Sequence, residues 1–239
     1  MVKPKRIWEL DALRGICVIG MVVVHLLFDL GYMYELIDLQ ENRAFDFVSQ
    51  WGGVLFLLIS GICVTLGHHP IRRGLLVLAA GMVVTAVTYG MYRLEYAGKD
   101  VIIYFGVLHC LGVCMLLWPV LKNLQTWVLP IVAAALIIYG LYIYEHVLVQ
   151  TKNLIWLGFM YPGFVSSDYF PLLPNLGFFV LGIFIGKTVY KKKKSLLPKV
   201  NDRFFLFRFF SFCGKQSLWI YLLHQPVLTG GIELYLRLR

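Results

Sequence analysis

Three ionisable residues near the start of the chain have the spacing to share one face of a helix. Arg14 and His25 are eleven positions apart, about 1100° of helical rotation and so about 20° from three full turns. Asp29 follows His25 by four positions, on the same face and one turn further along. A carboxylate at that spacing can orient an imidazole and raise its basicity, as general base catalysis requires. The structural alternative is a polar contact that only holds helices together.

Two further histidines, His109 and His224, lie in apolar segments. If those segments cross a membrane, a rise of about 1.5 Å per residue places both at the depth of His25, near the middle of a hydrocarbon core about 30 Å thick. Three histidines at one level could line a single cavity, although a lone histidine in a core is more often simply hydrogen-bonded. None has the close ligand spacing of a typical zinc motif, so we expect no metal.

The composition indicates that these residues lie in a membrane. Of the 239 residues, 59% are hydrophobic and 15% are charged, whereas soluble domains carry about 25% charged residues. We therefore expect an all-α fold, a single polytopic transmembrane bundle over residues 1–239 in the cell membrane. About seven segments have the length and apolarity of a span. They are 15–37, 47–67, 74–92, 101–121, 125–145, 172–190 and 214–235.

The distribution of charge predicts the orientation. With the N-terminus in the cytoplasm, 16 of the 22 Lys and Arg residues fall on the inner side, as the positive-inside rule requires. The net charge of +9 would suggest nucleic acid in a soluble protein, but here the cations cluster between spans, so we expect no nucleic-acid partner. The five cysteines lie in or beside apolar segments and predict no disulfide framework. The first apolar run is too long for a signal peptide and lacks a cleavage site, so we expect it to remain as a span.

Basic residues at the predicted cytoplasmic borders could bind a phosphate-bearing donor. Most residues of this kind only fix the topology. The candidates are Arg14, Arg72, Arg73 and Lys215.

Two connections stand out from the rest. The outer segment 146–171 is long and ends in prolines and an asparagine that resist a regular helix. It could be a lid, a substrate platform or a plain connection. The inner segment 191–212 begins with four lysines and continues with phenylalanines, which is typical of a stretch lying on an anionic leaflet.

Five short blocks follow one another along nearly the whole chain. They are Glu9–Ile16 continuing to His25–Asp29, then Phe56–Gly61, Gly106–Gly112, Ser167–Pro174 and Ser217–Pro226. In this order they resemble the bacterial relatives of the catalytic domain of lysosomal heparan-alpha-glucosaminide N-acetyltransferase. The spacing of Arg14 and His25 is also similar to that in the membrane acyltransferases that acylate bacterial surface sugars.

The resemblance implies transfer of an acyl group, in the first instance acetyl, from cytoplasmic acetyl-CoA or another acyl-CoA to an acceptor on the outer side. A sugar, a glycan or another small molecule is the expected acceptor; heparan sulfate itself is not implied. His25, Asp29, His109 and His224 are the expected catalytic residues, with His25 acting as general base or carrying the acyl group. The lysosomal enzyme has more spans and an amide side chain at the position of His25. A homodimer could therefore supply a missing acceptor-binding part.

Two other classes of protein stay open from the residues alone. A transporter could use intramembrane His and Asp side chains as a proton relay, although we find no inverted repeat or broken helix typical of that class. A structural or sensor subunit could use the polar face of the first span only to bind another span.

Overall fold

The computed structural model of the chain describes residues 6–38, 42–200 and 204–238. Most of these residues are helical, and none of them forms a strand beyond two isolated bridges, so the predicted all-α class is confirmed. A π-helical turn, Asp29–Met33, continues the first helix. The α-helices are α1 Trp8–Phe28, α2 Arg43–Leu66, α3 Pro70–Arg93, α4 Val107–Leu116, α5 Trp118–Leu121, α6 Val128–His146, α7 Leu172–Thr188, α8 Phe205–Lys215 and α9 Ser217–Leu238.

Four helices in the described part of the chain are long and apolar enough to cross a membrane. They are α1 with its π-helical turn, α2, α3 and α6, and they match four of the predicted spans. The apolar α7 has only 17 residues, and α9 has 22 but includes the polar pair His224 and Gln225. The total of seven spans and the orientation of the N-terminus stay predictions.

The predicted span at 101–121 differs most from the observed elements. Its helical part is α4, ten residues long, followed by the four-residue α5. The chain before α4 is extended because it pairs with the loop that precedes α7, where the Phe170 amide donates to the Phe105 carbonyl at 2.9 Å. Pro119 lies at the start of α5, where a missing backbone N–H is tolerated.

The described residues form two compact units, and the boundary falls inside α2. A terminal unit contains the two ends of the chain, up to Phe56 and from Lys193, and a central unit runs from Leu57 to Lys192. The single domain predicted over residues 1–239 stays a prediction.

In the terminal unit, α1 and α8 approach so closely that their glycines cannot be replaced without movement. A Cβ atom added to Gly15 would overlap the carbonyl of Phe210, and one added to Gly214 would overlap the carbonyl of Asp11. Small residues at such crossings allow the dispersion contacts that hold helices together in lipid. This crossing leaves α9, which follows α8 directly, beside α1.

In the central unit, α2 and α7 make a second crossing of this kind. Gly61 lies against the backbone of α7, and Gly182 lies against the backbone of α2. The residues packed around the centre of this unit are almost fully buried: Leu57, Ile59, Cys110, Cys114, Leu129, Ile143, Phe179, Val180 and Ile183. By contrast, α3 and α6 expose large aliphatic side chains such as Leu76 and Ile138, as expected of faces in contact with acyl chains.

Candidate active site

The structure brings His25 of α1 and His224 of α9 into contact within the terminal unit. Their ring centroids are 4.8 Å apart, and the planes meet edge to face at 79°. Both side chains are partly buried. The two helices that carry them are also joined below and above this contact, by Arg14 and by Asp29 respectively.

Each of these histidines has one ring nitrogen fixed by its own helix. His25 Nδ1 lies 2.9 Å from the carbonyl oxygen of Met21, and His224 Nδ1 is bonded to the carbonyl oxygen of Tyr221. Because a carbonyl oxygen can only accept, the proton of each neutral ring is on Nδ1 and the lone pair is on Nε2. His224 Nε2 is buried and has no hydrogen-bond partner among the residues that the structure describes. The pair therefore offers unprotonated ring nitrogens that can take a proton from a bound group.

Asp29 lies in the π-helical turn and is only 1% exposed. Its two carboxylate oxygens accept hydrogen bonds from the side-chain amide of Gln225, at 3.0 Å and 2.9 Å. The hydrogen bond expected between Asp29 and His25 is therefore replaced by these two, and the backbone of Met21 orients the imidazole instead. A catalytic role of Asp29 stays a prediction.

Gln225 was not predicted from the sequence. An amide carries no charge, so a search for ionisable groups inside spans passes over it. Its position between His224 and Pro226, in the last of the family-like blocks, is the one signal that could have pointed to it. Its Oε1 atom is buried without a hydrogen-bond partner among the described residues, as is Nε2 of the neighbouring His224.

Arg14 joins the lower parts of α1 and α9. Its guanidinium donates to Ser217 Oγ at 2.8 Å, and Cζ lies 5.8 Å from the centre of the Phe56 ring. Asp11 is paired with Arg6, at 3.8 Å, rather than with Arg14. These contacts give Arg14 a structural role, and its contact with a donor stays a prediction.

His109 lies in the central unit and has both ring nitrogens in use. Nδ1 accepts the Gly106 amide at 3.2 Å, so the ring proton is on Nε2, which lies 3.2 Å from Thr85 Oγ. The Thr85 hydroxyl in turn donates to the carbonyl of Ile103 at 2.6 Å. His109 thus closes the first turn of α4 and links it to α3, and a catalytic role would require one of these bonds to open.

The long loop 146–171 is tied to the start of α4. Asp168 accepts the Val107 amide at 3.1 Å, which places a negative charge where the helix dipole favours it. The Tyr169 hydroxyl donates to the carbonyl of Ile155 at 2.8 Å, and burial raises the pKa of this hydroxyl. The carboxylate of Asp168 was not among the predicted residues, although it lies in one of the family-like blocks. The first bond ties the end of the loop to α4, and the second joins two parts of the loop to each other. A role of this loop as a lid or a substrate platform stays a prediction.

Arg72 lines a groove of about 340 Å³ in the central unit. The other lining residues are His69, Pro70, Ile71, Trp118, Pro119 and Lys122. Lys187 fixes one side of it by donating to the carbonyls of Lys122 and Leu124, at 2.9 Å and 3.0 Å. Two cations and an indole in one groove can bind a phosphate that carries an aromatic base.

The two other residues predicted to contact the acyl donor lie outside this groove. Arg73 is beside Gly67 and outside the lining of this groove. Lys215 ends α8 in the terminal unit, and its side chain is exposed. As to metals, no three His, Cys, Asp or Glu side chains converge within the ranges that the structure describes.

Comparison with known proteins agrees with the resemblance that the motifs indicate. No curated protein and no solved structure gives a significant match to the chain. A family model, "Heparan-alpha-glucosaminide N-acetyltransferase, catalytic", matches residues 6–226, which include all five motif blocks and every predicted site residue. The chain therefore belongs to the family of heparan-alpha-glucosaminide N-acetyltransferase catalytic domains.

Proposed function

We propose that the chain is a membrane acyltransferase that moves an acetyl or other acyl group from acyl-CoA to a sugar or glycan acceptor. Membership of a family named for acetyl transfer to a glucosaminide supports the reaction class. The four long apolar helices support the setting in a membrane.

One observation carries this proposal: the contact between His25 and His224. Two imidazoles, each with Nδ1 hydrogen-bonded to a backbone carbonyl, present the lone pairs of their Nε2 atoms in a place where ionisable groups are costly. A histidine that only stabilises the fold is expected to have both ring nitrogens hydrogen-bonded, as His109 has.

The reaction requires one proton to be taken up and returned. His25 Nε2 removes the proton from the acceptor hydroxyl or amine as its oxygen or nitrogen attacks the thioester carbonyl. The tetrahedral intermediate collapses by breaking the carbon–sulfur bond, and the proton passes from His25 to the CoA thiolate. In the alternative order, a histidine Nε2 first takes the acyl group itself and then yields it to the acceptor.

We assign the phosphates of acyl-CoA to basic residues on the cytoplasmic side. In the central unit, Arg72 and Lys122 are the best placed, with Trp118 available to stack against the adenine. Three other basic residues are also candidates to bind the phosphates of acyl-CoA, outside this groove: Arg14, Arg73 and Lys215. Replacing Arg72 or Lys122 by Ala should raise the KM for acyl-CoA without a matching loss of kcat, whereas Lys152→Ala on the long loop should change neither.

The proposed reaction requires that donor and acceptor reach the protein from opposite sides of the membrane. We infer seven spans with the N-terminus in the cytoplasm, so that the donor enters from inside and the acceptor from outside the cell membrane. Membrane lipids surround the bundle, and a homodimer could complete the acceptor site.

The test uses the full chain in lipid nanodiscs with acetyl-CoA and a panel of sugars. Some sugars carry a free amine and others only hydroxyls; release of the CoA thiol and the mass of the product report transfer. His25→Ala should lower the rate by at least about 100-fold, while His146→Ala, which removes an exposed histidine at the end of α6, should leave it unchanged. A His25→Ala protein that inserts, folds and transfers at the full rate would end the model.

A binding measurement separates failure of chemistry from failure of donor recognition. Acetyl-CoA should raise the thermal midpoint of both the wild-type protein and His25→Ala, because the base is not needed to hold the donor. No shift in either protein, together with proton flux in liposomes, would favour the transporter class instead.

A further inference from the structure

Helix α8 has one face packed firmly against α1. The Phe207 ring lies 5.0 Å from the Trp8 ring, and Ser211 Oγ donates to the Trp8 carbonyl at 3.2 Å. Gly214 lies against the backbone of Asp11. These three α8 residues fall within about 60° of one another around the helix.

The opposite face of α8 is a stripe of phenylalanines. Phe205, Phe209 and Phe212 also fall within about 60° of one another, and they are 74%, 43% and 60% exposed. Exposed aromatic surface of this extent is unfavourable in water and marks an interaction site.

Cations border this stripe. Arg208 and Lys215 lie about 60° to 80° to one side of Phe205 around the helix, and both side chains are exposed. Residues 191–215 contain eight Lys and Arg residues and one acidic residue. Glu9 Oε1 accepts the Leu196 amide at 2.7 Å, which ties part of this basic segment to the first turn of α1.

The length of α8 decides how such a face can meet a membrane. Eleven residues extend about 16 Å, half of a hydrocarbon core about 30 Å thick. The helix therefore cannot cross the bilayer alone. An apolar stripe bordered by cations is the pattern of a helix that lies in the plane of the interface.

We propose that α8 is an in-plane anchor that binds an anionic phospholipid leaflet. Its phenylalanine stripe lies among the upper acyl chains, and Arg208 and Lys215 contact the phosphate headgroups. The choice of a lipid leaflet as the occupant rests on the basic charge that borders the stripe, to which anionic lipid is complementary. This inference does not rest on the acyl transfer, and it assigns Lys215 to a lipid headgroup instead of the donor.

A photocrosslinking experiment on the full chain tests the occupant. Phe205→benzoylphenylalanine and Phe212→benzoylphenylalanine are compared with the same change at Phe207, on the packed face. Monodisperse protein is reconstituted into vesicles of phosphatidylglycerol and phosphatidylcholine, irradiated and analysed by mass spectrometry.

We expect phospholipid adducts from positions 205 and 212, and an intramolecular crosslink to α1 from position 207. Crosslinks from 205 and 212 to a second copy of the chain, or the same low yield of lipid adduct at all three positions, would overturn the proposal.

The role of the charges has its own test. At position 205, the adducts should favour phosphatidylglycerol over phosphatidylcholine by more than about twofold. Arg208→Gln with Lys215→Gln, or added salt, should lower this preference toward one. The double substitution Arg237→Gln with Lys152→Gln should leave it unchanged. Equal adduct yields from phosphatidylglycerol and phosphatidylcholine, in the protein without the charge substitutions, would show that α8 does not prefer an anionic leaflet and would overturn that part of the proposal.

Discussion

His25 and His224 are poised by backbone carbonyl oxygens rather than by a carboxylate. Each carbonyl holds the ring proton on Nδ1 and so leaves the lone pair on Nε2. The spacing of His25 and Asp29 made a direct pair the natural prediction. The structure differs because the side-chain amide of Gln225, on α9, donates to both carboxylate oxygens of Asp29. Residue spacing within one helix cannot predict this contact, because the two residues are far apart in the sequence.

Gln225→Leu should destabilise the protein, because it leaves a fully buried carboxylate without its hydrogen-bond donor. The expected cost is about 1–3 kcal/mol or more for a charged group, read as a lower thermal midpoint in detergent. Gln216→Leu, which changes an exposed amide between α8 and α9, is the matched control and should be nearly neutral.

The double variant Asp29→Leu with Gln225→Leu sharpens this prediction. Removing both partners abolishes the unsatisfied group, so the double variant should be more stable than Gln225→Leu alone. Additive losses would show that the two residues do not depend on each other.

His109 gives a prediction that separates structure from catalysis. We expect His109→Phe to lower stability by about 1–3 kcal/mol, since the Gly106 amide and the Thr85 hydroxyl lose a partner, and Thr85→Val to cause part of the same loss. Activity per folded molecule should then stay near the wild-type value. A His109→Phe protein with an unchanged thermal midpoint and no transfer would instead assign this residue to the reaction.

At the scale of the element, glycines determine where the helices touch. Gly15 and Gly20 lie on the same helix, yet only Gly15 meets another backbone, while the space around Gly20 is open for a methyl group. We predict that Gly15→Ala destabilises the protein by about 1–3 kcal/mol through overpacking. Gly20→Ala should be neutral or slightly stabilising because alanine is the better helix former.

Thermal unfolding of both variants, measured side by side in one detergent, gives the comparison. Equal midpoints for Gly15→Ala and Gly20→Ala would mean that α1 and α8 do not pack as closely as described.

Hydropathy predicted the long helices well and the short ones poorly. The segments 47–67 and 125–145 correspond to α2 and α6 within a few residues at most ends. The segment 101–121 is equally apolar, but its first residues pair with the loop before α7 and its helix ends at Leu116. Apolarity reports burial from water, and it does not report whether a buried backbone is helical or is paired with another segment.

At the scale of the whole molecule, the amino-acid composition predicted a helical membrane protein, and the order of the motifs predicted the family. Five blocks in sequence predicted the family that the match over residues 6–226 confirms. The pairing of His25 with His224 needed the fold, because 199 positions separate them in the sequence. Depth in a membrane could suggest that they lie at one level, but only the packing of α1 and α9 puts the rings in contact.

Whether the number of spans is odd or even decides if the two ends of the chain lie on the same side of the membrane. Among the residues that the structure describes, four helices have the length and hydropathy to cross. Three of the seven predicted spans, at 101–121, 172–190 and 214–235, therefore decide the result. If all three cross, the ends lie on opposite sides, and a fluorescent protein fused after Arg239 should be dark while alkaline phosphatase at the same place is active. A fusion in the lysine-rich segment 191–200 should give the reverse and serves as the internal control. Fluorescence from the fusion after Arg239 would show that one or three of those segments do not cross, and would contradict the prediction of seven spans.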